Sequence, residues 1–276
     1  MKWYWKLGLL SCLILVAACG RTLPVADESL VQSKKAVLVV TASNLDPNAV
    51  DSLQKALTSW NETDMTTYEM IPSTEALNDE ILSRVQSKPY DYVVVIGNQL
   101  LPQASIYAER ASGSRWVLLE DAYSYDPSQS EWGSHAMLFA FPKDWLRQYW
   151  NGTILNLTDN GAVLAWVTDG RFPVPVTWSP SEEADAIINT DLYRDTWFDQ
   201  LSFQVKSTKP ERIVVCTPQD EERIARIKSL GVSVTDLSKP AVSLEWERIY
   251  GTVEAMMEKG SWQASVNAYP QEIISR

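Results

Sequence analysis

Small polar residues follow the apolar runs of this chain at the points where strands would end. Thr41, Ser43, Asn44 and Asp46 come after KKAVLVV. Asn98 and Gln99 come after YDYVVVIG, Asp121 after RWVLLE, Thr168 and Asp169 after GAVLAWV, and Thr217 after ERIVVC. Hydroxyls, amides and carboxylates of this kind pair with sugar hydroxyls or with the edge of a base. In open α/β sheets ligands sit beyond the carboxyl ends of the strands. The candidate ligand-binding set is therefore Ser43, Asn44, Asp46, Asn98, Gln99, Asp121 and Asp169. Tyr123, Tyr125, Trp132 and Trp178 could stack on a flat ligand. Each assignment has a plainer alternative. Asp46 precedes Pro47 and is equally a helix N-cap. Asn98 can simply shape the turn after Gly97, and tryptophans fill cores.

The same residues give little to a catalyst. His135 is the only histidine, so neither a histidine-based triad nor a multi-histidine zinc site can be assembled. Cys216 lies inside an apolar strand pattern and reads as inert core. No GxSxG, P-loop or HExxH sequence occurs. The expectation is a protein without enzymatic activity, cofactor or metal.

The elements that must hold these residues follow a rhythm. From Lys34 the chain alternates apolar runs with helical periodicity: KKAVLVVTA, then DPNAVDSLQKALTSWNE with Val50, Leu53, Leu57 and Trp60 at helical spacing, then MTTYEMI. STEALNDEILSRVQSK, YDYVVVIGN, QLLPQASIYAERAS and RWVLLEDA continue it. Strands alternating with helices predict a doubly wound parallel sheet with right-handed crossovers. After the polar stretch YSYDPSQSEWGS the rhythm resumes with HAMLFAF, a tryptophan-rich helix from Pro142, the strand GAVLAWVTD and a helix over SEEADAIINTDLYRDTWFDQL. ERIVVCT, PQDEERIARIKSLG and VSVTDL form one more unit, and SLEWERIYGTVEAMMEKGSW is a long amphipathic helix. The expected fold class is α/β, with two doubly wound parallel-sheet lobes.

The amino end carries a different signal. Lys2 and Lys6 precede an apolar stretch over Leu7–Val16, which is shorter than the ~20 residues that span a bilayer. Val16-Ala17-Ala18-Cys19 then resembles the bacterial lipobox, in which the cysteine thiol is acylated and the chain is cut before it. Two or more acyl chains anchor stably where one is marginal, so membrane attachment through a lipid anchor on the extracytoplasmic face is expected. The expected organisation is a signal peptide over 1–18, lipidated Cys19 with a tether to 34, a first lobe over 35–125, a second lobe over 126–240, and a return helix with a hinge segment over 241–276. Only Cys216 remains outside the leader and anchor, so no intramolecular disulfide is expected and stability must come from a core. The net charge of −11 argues against nucleic acid as a partner.

Two α/β lobes behind a lipobox resemble the type 1 periplasmic-binding-protein fold. Within it the chain looks most like the basic membrane protein family of nucleoside-binding lipoproteins, including regulator-type members of spore-forming bacteria. The resemblance rests on VLVVTASNLDPNAVDSLQKAL, YDYVVVIGNQL, MLFAFPKDWLRQYWNGTILNLTDNGAVLAWVTD and WERIYGTVEAMMEKGSW. It implies a small polar solute, nucleoside-like, held between the lobes, and an ABC-type permease as partner. The alternative is a sensor, regulatory or interaction lipoprotein of the same fold with a degenerate cleft. The first loop departs from the family pattern, because SNLDPNAV spaces Asn44 and Asp46 apart and has no aromatic residue. The crossover helix departs too, carrying Trp145, Tyr149 and Trp150 where the family has small residues.

Overall fold

The computed structural model describes residues 34–63, 66–124, 129–179, 186–239 and 242–275. Cys19, the leader, the tether up to residue 33 and Tyr125 lie outside the described residues. Two parallel sheets make up the fold, as the alternation of runs predicts. The first has strand order β2-β1-β3-β4-β5-β11, from β1 (Ala36–Ala42), β2 (Thr67–Thr74), β3 (Tyr92–Ile96), β4 (Arg115–Leu119), β5 (Ala136–Ala140) and β11 (Ser265–Ala268). The second has order β7-β6-β8-β9, from β6 (Leu164–Thr168), β7 (Ala186–Asn189), β8 (Arg212–Val215) and β9 (Ser233–Asp236). Every pairing in both is parallel. A small antiparallel pair joins β10 (Ser243–Leu244) to β12 (Ile274–Ser275).

Helices cover both faces of each sheet, which is why the strands read as unbroken apolar runs. In the first lobe α1 (Pro47–Thr63) packs with Leu53, Leu57 and Trp60 against Val37, Val39 and Val94. The opposite face takes α2 (Asp79–Ser87) and α3 (Leu101–Arg110) on Leu38, Val40, Val93 and Val95. A short helix α4 (Gln129–Trp132) joins β4 to β5 and buries Trp132 in that same cluster. In the second lobe α5 (Trp145–Asp159) covers one face. The other face takes α7 (Trp197–Thr208) and α8 (Glu221–Lys228), after the single turn α6 (Thr190–Tyr193). The return helix α9 (Trp246–Lys259) lies back on α1, where Tyr250 donates its hydroxyl to the Ala49 carbonyl at 3.1 Å. One apolar core runs from Val37 and Trp60 through Trp145 and Leu146 to Trp166 and Val214, so the interiors of the two lobes are continuous.

Two expectations need correction. The lobe boundary does not fall at residue 125. β5 pairs with β4 in register Trp116↔Ala136, and β11 pairs with β5, so 136–140 and 265–268 belong to the first sheet. The polar stretch before β5 is a loop within that lobe, and the chain crosses over only after Ala140. The helix expected across 181–201 is also not continuous: 186–189 form β7, on the edge of the second sheet beside β6. Ala186 and Ile188 point inward while Ile187 is exposed, a period-2 pattern too short to stand out beside an acidic helical stretch. From Asn267 the chain forms the end of β11, a 3-10 turn and the two residues of β12.

β2 is an edge strand, and a charge network covers its amino half. Glu69 takes Lys88 Nζ at 2.7 Å and also bonds the Arg84 guanidinium and the Tyr90 hydroxyl. The Lys88 bond, then the Tyr90 bond, lower the Glu69 carboxyl from 4.5 to about 2. A depressed carboxyl adds stability above its unfolded value and loses it as pH falls through the folded one. Unfolding midpoints in urea should therefore drop between pH 4.5 and about 2. Glu69→Gln should flatten that slope, and an unchanged slope in the variant would assign it elsewhere.

Candidate functional site

In the first sheet the connections from β1 and β3 leave toward opposite faces, with α1 on one and α3 on the other. This switch point is where a doubly wound sheet opens a crevice at its carboxyl edge. The two loops meet closely there. Gly97 has φ +114°, and a Cβ on it would lie 2.3 Å from that of Ala42, so only glycine fits. Gln99, exposed just beyond, donates from Nε2 to Ser43 Oγ at 3.2 Å and to the Thr74 carbonyl at 2.8 Å. The Ser43 N–H bonds the same carbonyl at 3.0 Å. Thr74 Oγ1 is buried beside them with no hydrogen-bond partner among the described residues. Ser73 holds φ 52°, its N–H on Thr41 Oγ1 at 3.3 Å. Ser43, Gln99 and Thr74 are thus brought together, with Asn44 exposed on the same loop.

Asn98 and Asp121 are also brought together, but with each other. The Asn98 N–H donates to Asp121 Oδ1 at 2.7 Å, and the Asp121 N–H donates to Asn98 Oδ1 at 3.0 Å. Asn98 Nδ2 adds a bond to the Ala122 carbonyl at 2.7 Å. Burial pushes the Asp121 carboxyl up, against the pull of the N–H groups of Asn98 and of Asp121 itself. The pair clamps the loops after β3 and β4. Asn98→Ala should cost about 1–2 kcal/mol of stability, because two partners lose their bonds. Denaturant unfolding checks this, and an unchanged midpoint would return Asn98 to the ligand set. Asp46 takes the Asn48 N–H on Oδ1 at 2.7 Å and caps α1, the plainer of its two readings.

At the carboxyl edge of the second sheet Asp169 is buried and Arg171 half-exposed. Arg171 donates from Nε at 3.0 Å and Nη2 at 2.6 Å to Asp169 Oδ2, and its N–H reaches Oδ1 at 2.9 Å. Burial opposes the charge on Asp169, yet the Arg171 bonds outweigh it and hold the carboxyl below the usual range, with the Thr217 hydroxyl assisting. The Gly170 N–H bonds Asp191 Oδ2 at 3.0 Å, and the Thr190 hydroxyl bonds the Thr168 carbonyl at 3.1 Å. The Thr168 hydroxyl bonds the Phe172 carbonyl. Arg171 was not among the sequence candidates. Its signal is the TDGR string, which sets a guanidinium two residues beyond a strand-end aspartate.

The aromatic candidates fall mostly into packing. Trp178 is 1% exposed, stacks on Trp166 at 6.0 Å and donates Nε1 to Asn151 Oδ1 at 2.8 Å. Trp132 is 5% exposed. Tyr123 is partly buried beside Phe141 and Trp145, with its hydroxyl on the Lys143 carbonyl at 3.0 Å. Sequence reasoning passed over Glu120, which is fully buried at the end of β4. Its Oε2 accepts from the Phe141 N–H at 2.6 Å, and its carbonyl accepts from the Tyr269 hydroxyl at 2.9 Å. The Tyr269 N–H in turn bonds the Ala140 carbonyl at 2.7 Å. Glu120 therefore fastens two segments as they leave the first sheet. His135 is exposed in the turn before β5, and burial pushes the Cys216 thiol far up. Among the described residues no group of three His, Cys, Asp or Glu could hold a metal ion, and no helix is long and apolar enough to cross a membrane.

No family model and no curated protein matches the chain. Solved structures resemble it in overall path. A sugar transporter from Clostridium phytofermentans is 11% identical over 86% of this chain and 97% of that one, with a TM-score of 0.47. A transcriptional activator of the comK gene from Bacillus halodurans is 9% identical over 87% and 89%, with a TM-score of 0.44. A solute-binding protein of an ABC transporter system from Conexibacter woesei is 11% identical over 87% of each chain, with a TM-score of 0.43. These are likenesses of chain path, and neither ligand nor activity is taken from them.

Proposed function

We propose that this protein is an extracytoplasmic binding lipoprotein with the type 1 periplasmic-binding-protein arrangement, anchored through Cys19, that holds a small polar solute at the carboxyl edges of its sheets. The observation that carries the reading is the cluster at the switch point: Ser43, Thr74 and Gln99 converge there around a close approach that only Gly97 permits. Amide and hydroxyl groups of this kind suit a nucleoside-like or other hydroxylated solute. On the second lobe the buried Asp169 holds the Arg171 guanidinium in one orientation at the sheet edge. The role is binding, without chemistry on the solute, and delivery to an ABC-type permease fits it.

A thermal-unfolding panel of nucleosides, bases, sugars and amino acids tests the reading on the full-length protein. A solute at 100 times its Kd adds about 2.7 kcal/mol, which raises the midpoint of a chain this size by about 5–10 °C. A flat panel contradicts solute binding. The anchor is tested separately by intact mass: membrane-extracted protein should begin at an acylated Cys19, and an unmodified Met1 rules the anchor out.

A second reading has its own observation. Asn98 and Asp121 bond each other, Asp46 caps α1, and Trp132 and Trp178 are core. A strand-end rim so largely used by the fold favours a regulatory or interaction lipoprotein with a degenerate cleft. A flat panel together with a membrane neighbour captured by crosslinking would support it.

A further inference from the structure

The aromatic residues of α5 lie beyond the polar cluster of Ser43, Thr74 and Gln99, and Trp145 packs on Tyr123 and Phe141. Trp145, Gln148 and Tyr149 on its first turns line a hollow of about 280 Å³ together with Gln271 and Ile274 of the C-terminal segment. Trp145 and Tyr149 stack with centroids 5.0 Å apart and 23° between their planes. Tyr149 meets Trp150 edge to face at 4.7 Å. Gln271 donates from Nε2 to Gln148 Oε1 at 3.2 Å, and both side chains are exposed. That bond uses one donor of Gln271 and one acceptor site of Gln148. The Gln148 amide nitrogen and the Gln271 carbonyl keep hydrogen-bonding capacity, a donor and an acceptor on two side chains that already touch.

This combination selects a ligand class. A hydroxyl both donates and accepts, so adjacent ring hydroxyls match a paired donor and acceptor. The aromatic wall suits the C–H face of a saturated ring. No charged residue lines the hollow among the described residues, and an ionised ligand would lose hydration there without a counter-charge. The volume sits near the lower end of the roughly 300–1,000 Å³ of small-molecule sites, which limits the occupant to about one ring. We propose that this hollow is a second binding site, for a single neutral hydroxylated ring of the monosaccharide class. Its lining shares no residue with the cluster of Ser43, Thr74 and Gln99, and the proposal does not rest on the reading above. A ring bound here touches both the helix that enters the second lobe and the segment that follows β11, the two places where the chain leaves the first sheet.

The test is tryptophan fluorescence of the full-length protein in lauryldimethylamine oxide, a detergent without a sugar headgroup. It is titrated separately with D-glucose, D-galactose and D-xylose. At least one pyranose should give a saturable change with Kd about 1 mM or tighter. Gln148→Leu and Tyr149→Ala should each weaken it at least about tenfold. Gln148 is exposed, so its variant keeps the fold even if Tyr149→Ala disturbs the stack, and thermal midpoints report either case. The proposal is overturned by three flat titrations, or by binding that survives Gln148→Leu. Loss of binding on Gln99→Leu would place the sugar at the strand ends and overturn it equally.

Discussion

Replacing Trp178 with alanine is expected to lower the unfolding free energy by about 3–5 kcal/mol, the range for a large aromatic side chain removed from a packed core. The ring is 1% exposed and lies between Trp166 and Phe172, both with centroids 6.0 Å away. Truncation opens a void that Trp166, held in the sheet, cannot fill. It also takes the indole donor from Asn151 Oδ1. Trp178→Phe keeps much of the volume and should cost roughly half as much or less. Urea unfolding of both variants checks the expectation. If Trp178→Ala instead left stability unchanged and removed solute binding, the ring would be a ligand platform and not core.

Glu120→Ala is expected to cost about 3 kcal/mol or more, because a buried N–H loses its acceptor and a void opens in its place. The N–H belongs to Phe141, the first residue after β5, where the chain leaves for the second lobe. Glu120→Gln keeps an acceptor oxygen and should cost about 1 kcal/mol. The comparison separates the hydrogen bond from the charge. Equal losses in the two variants would mean that the negative charge matters and the acceptor does not. The Tyr269 hydroxyl bonds the Glu120 backbone carbonyl, so it is expected to stay in place in both variants. Hydrogen exchange of the Phe141 amide reads the local effect directly: fast in the alanine variant and slow in the glutamine variant.

Much of the fold is legible in the sequence because its central strands are buried on both faces. AVLVVTA, YVVVI and RWVLL read as continuous apolar runs, and the helices between them keep a one-sided pattern. The edge strands are not legible in this way. β7 has four residues in an alternating pattern, and β11 is half-exposed and paired on one side only. The lobe boundary escapes the sequence pattern for a related reason. A polar loop looks like a linker, and nothing local shows that the next strand returns to the sheet it left. In the site, strand-end position sets Ser43 and Gln99 within hydrogen-bond distance of each other and Asp169 at the edge of the second sheet. It cannot separate Asp121, which clamps a neighbouring loop, from a residue free for a ligand. Glu120 was beyond reach because its partners lie 21 and 149 residues away along the chain. A carboxylate at a strand end carries no local mark of complete burial.

The measurement that tests the account most directly is calorimetric titration of the full-length protein with the solute class that stabilises it, repeated on Gln99→Leu and Arg171→Lys. The account predicts saturable binding at the strand-end rim in the wild type. Each variant should bind at least about tenfold more weakly, a loss of about 1.4 kcal/mol, because each removes a polar contact at one rim of the crevice. Wild-type affinity in both variants would place the solute elsewhere and contradict a site at the carboxyl edges of the sheets.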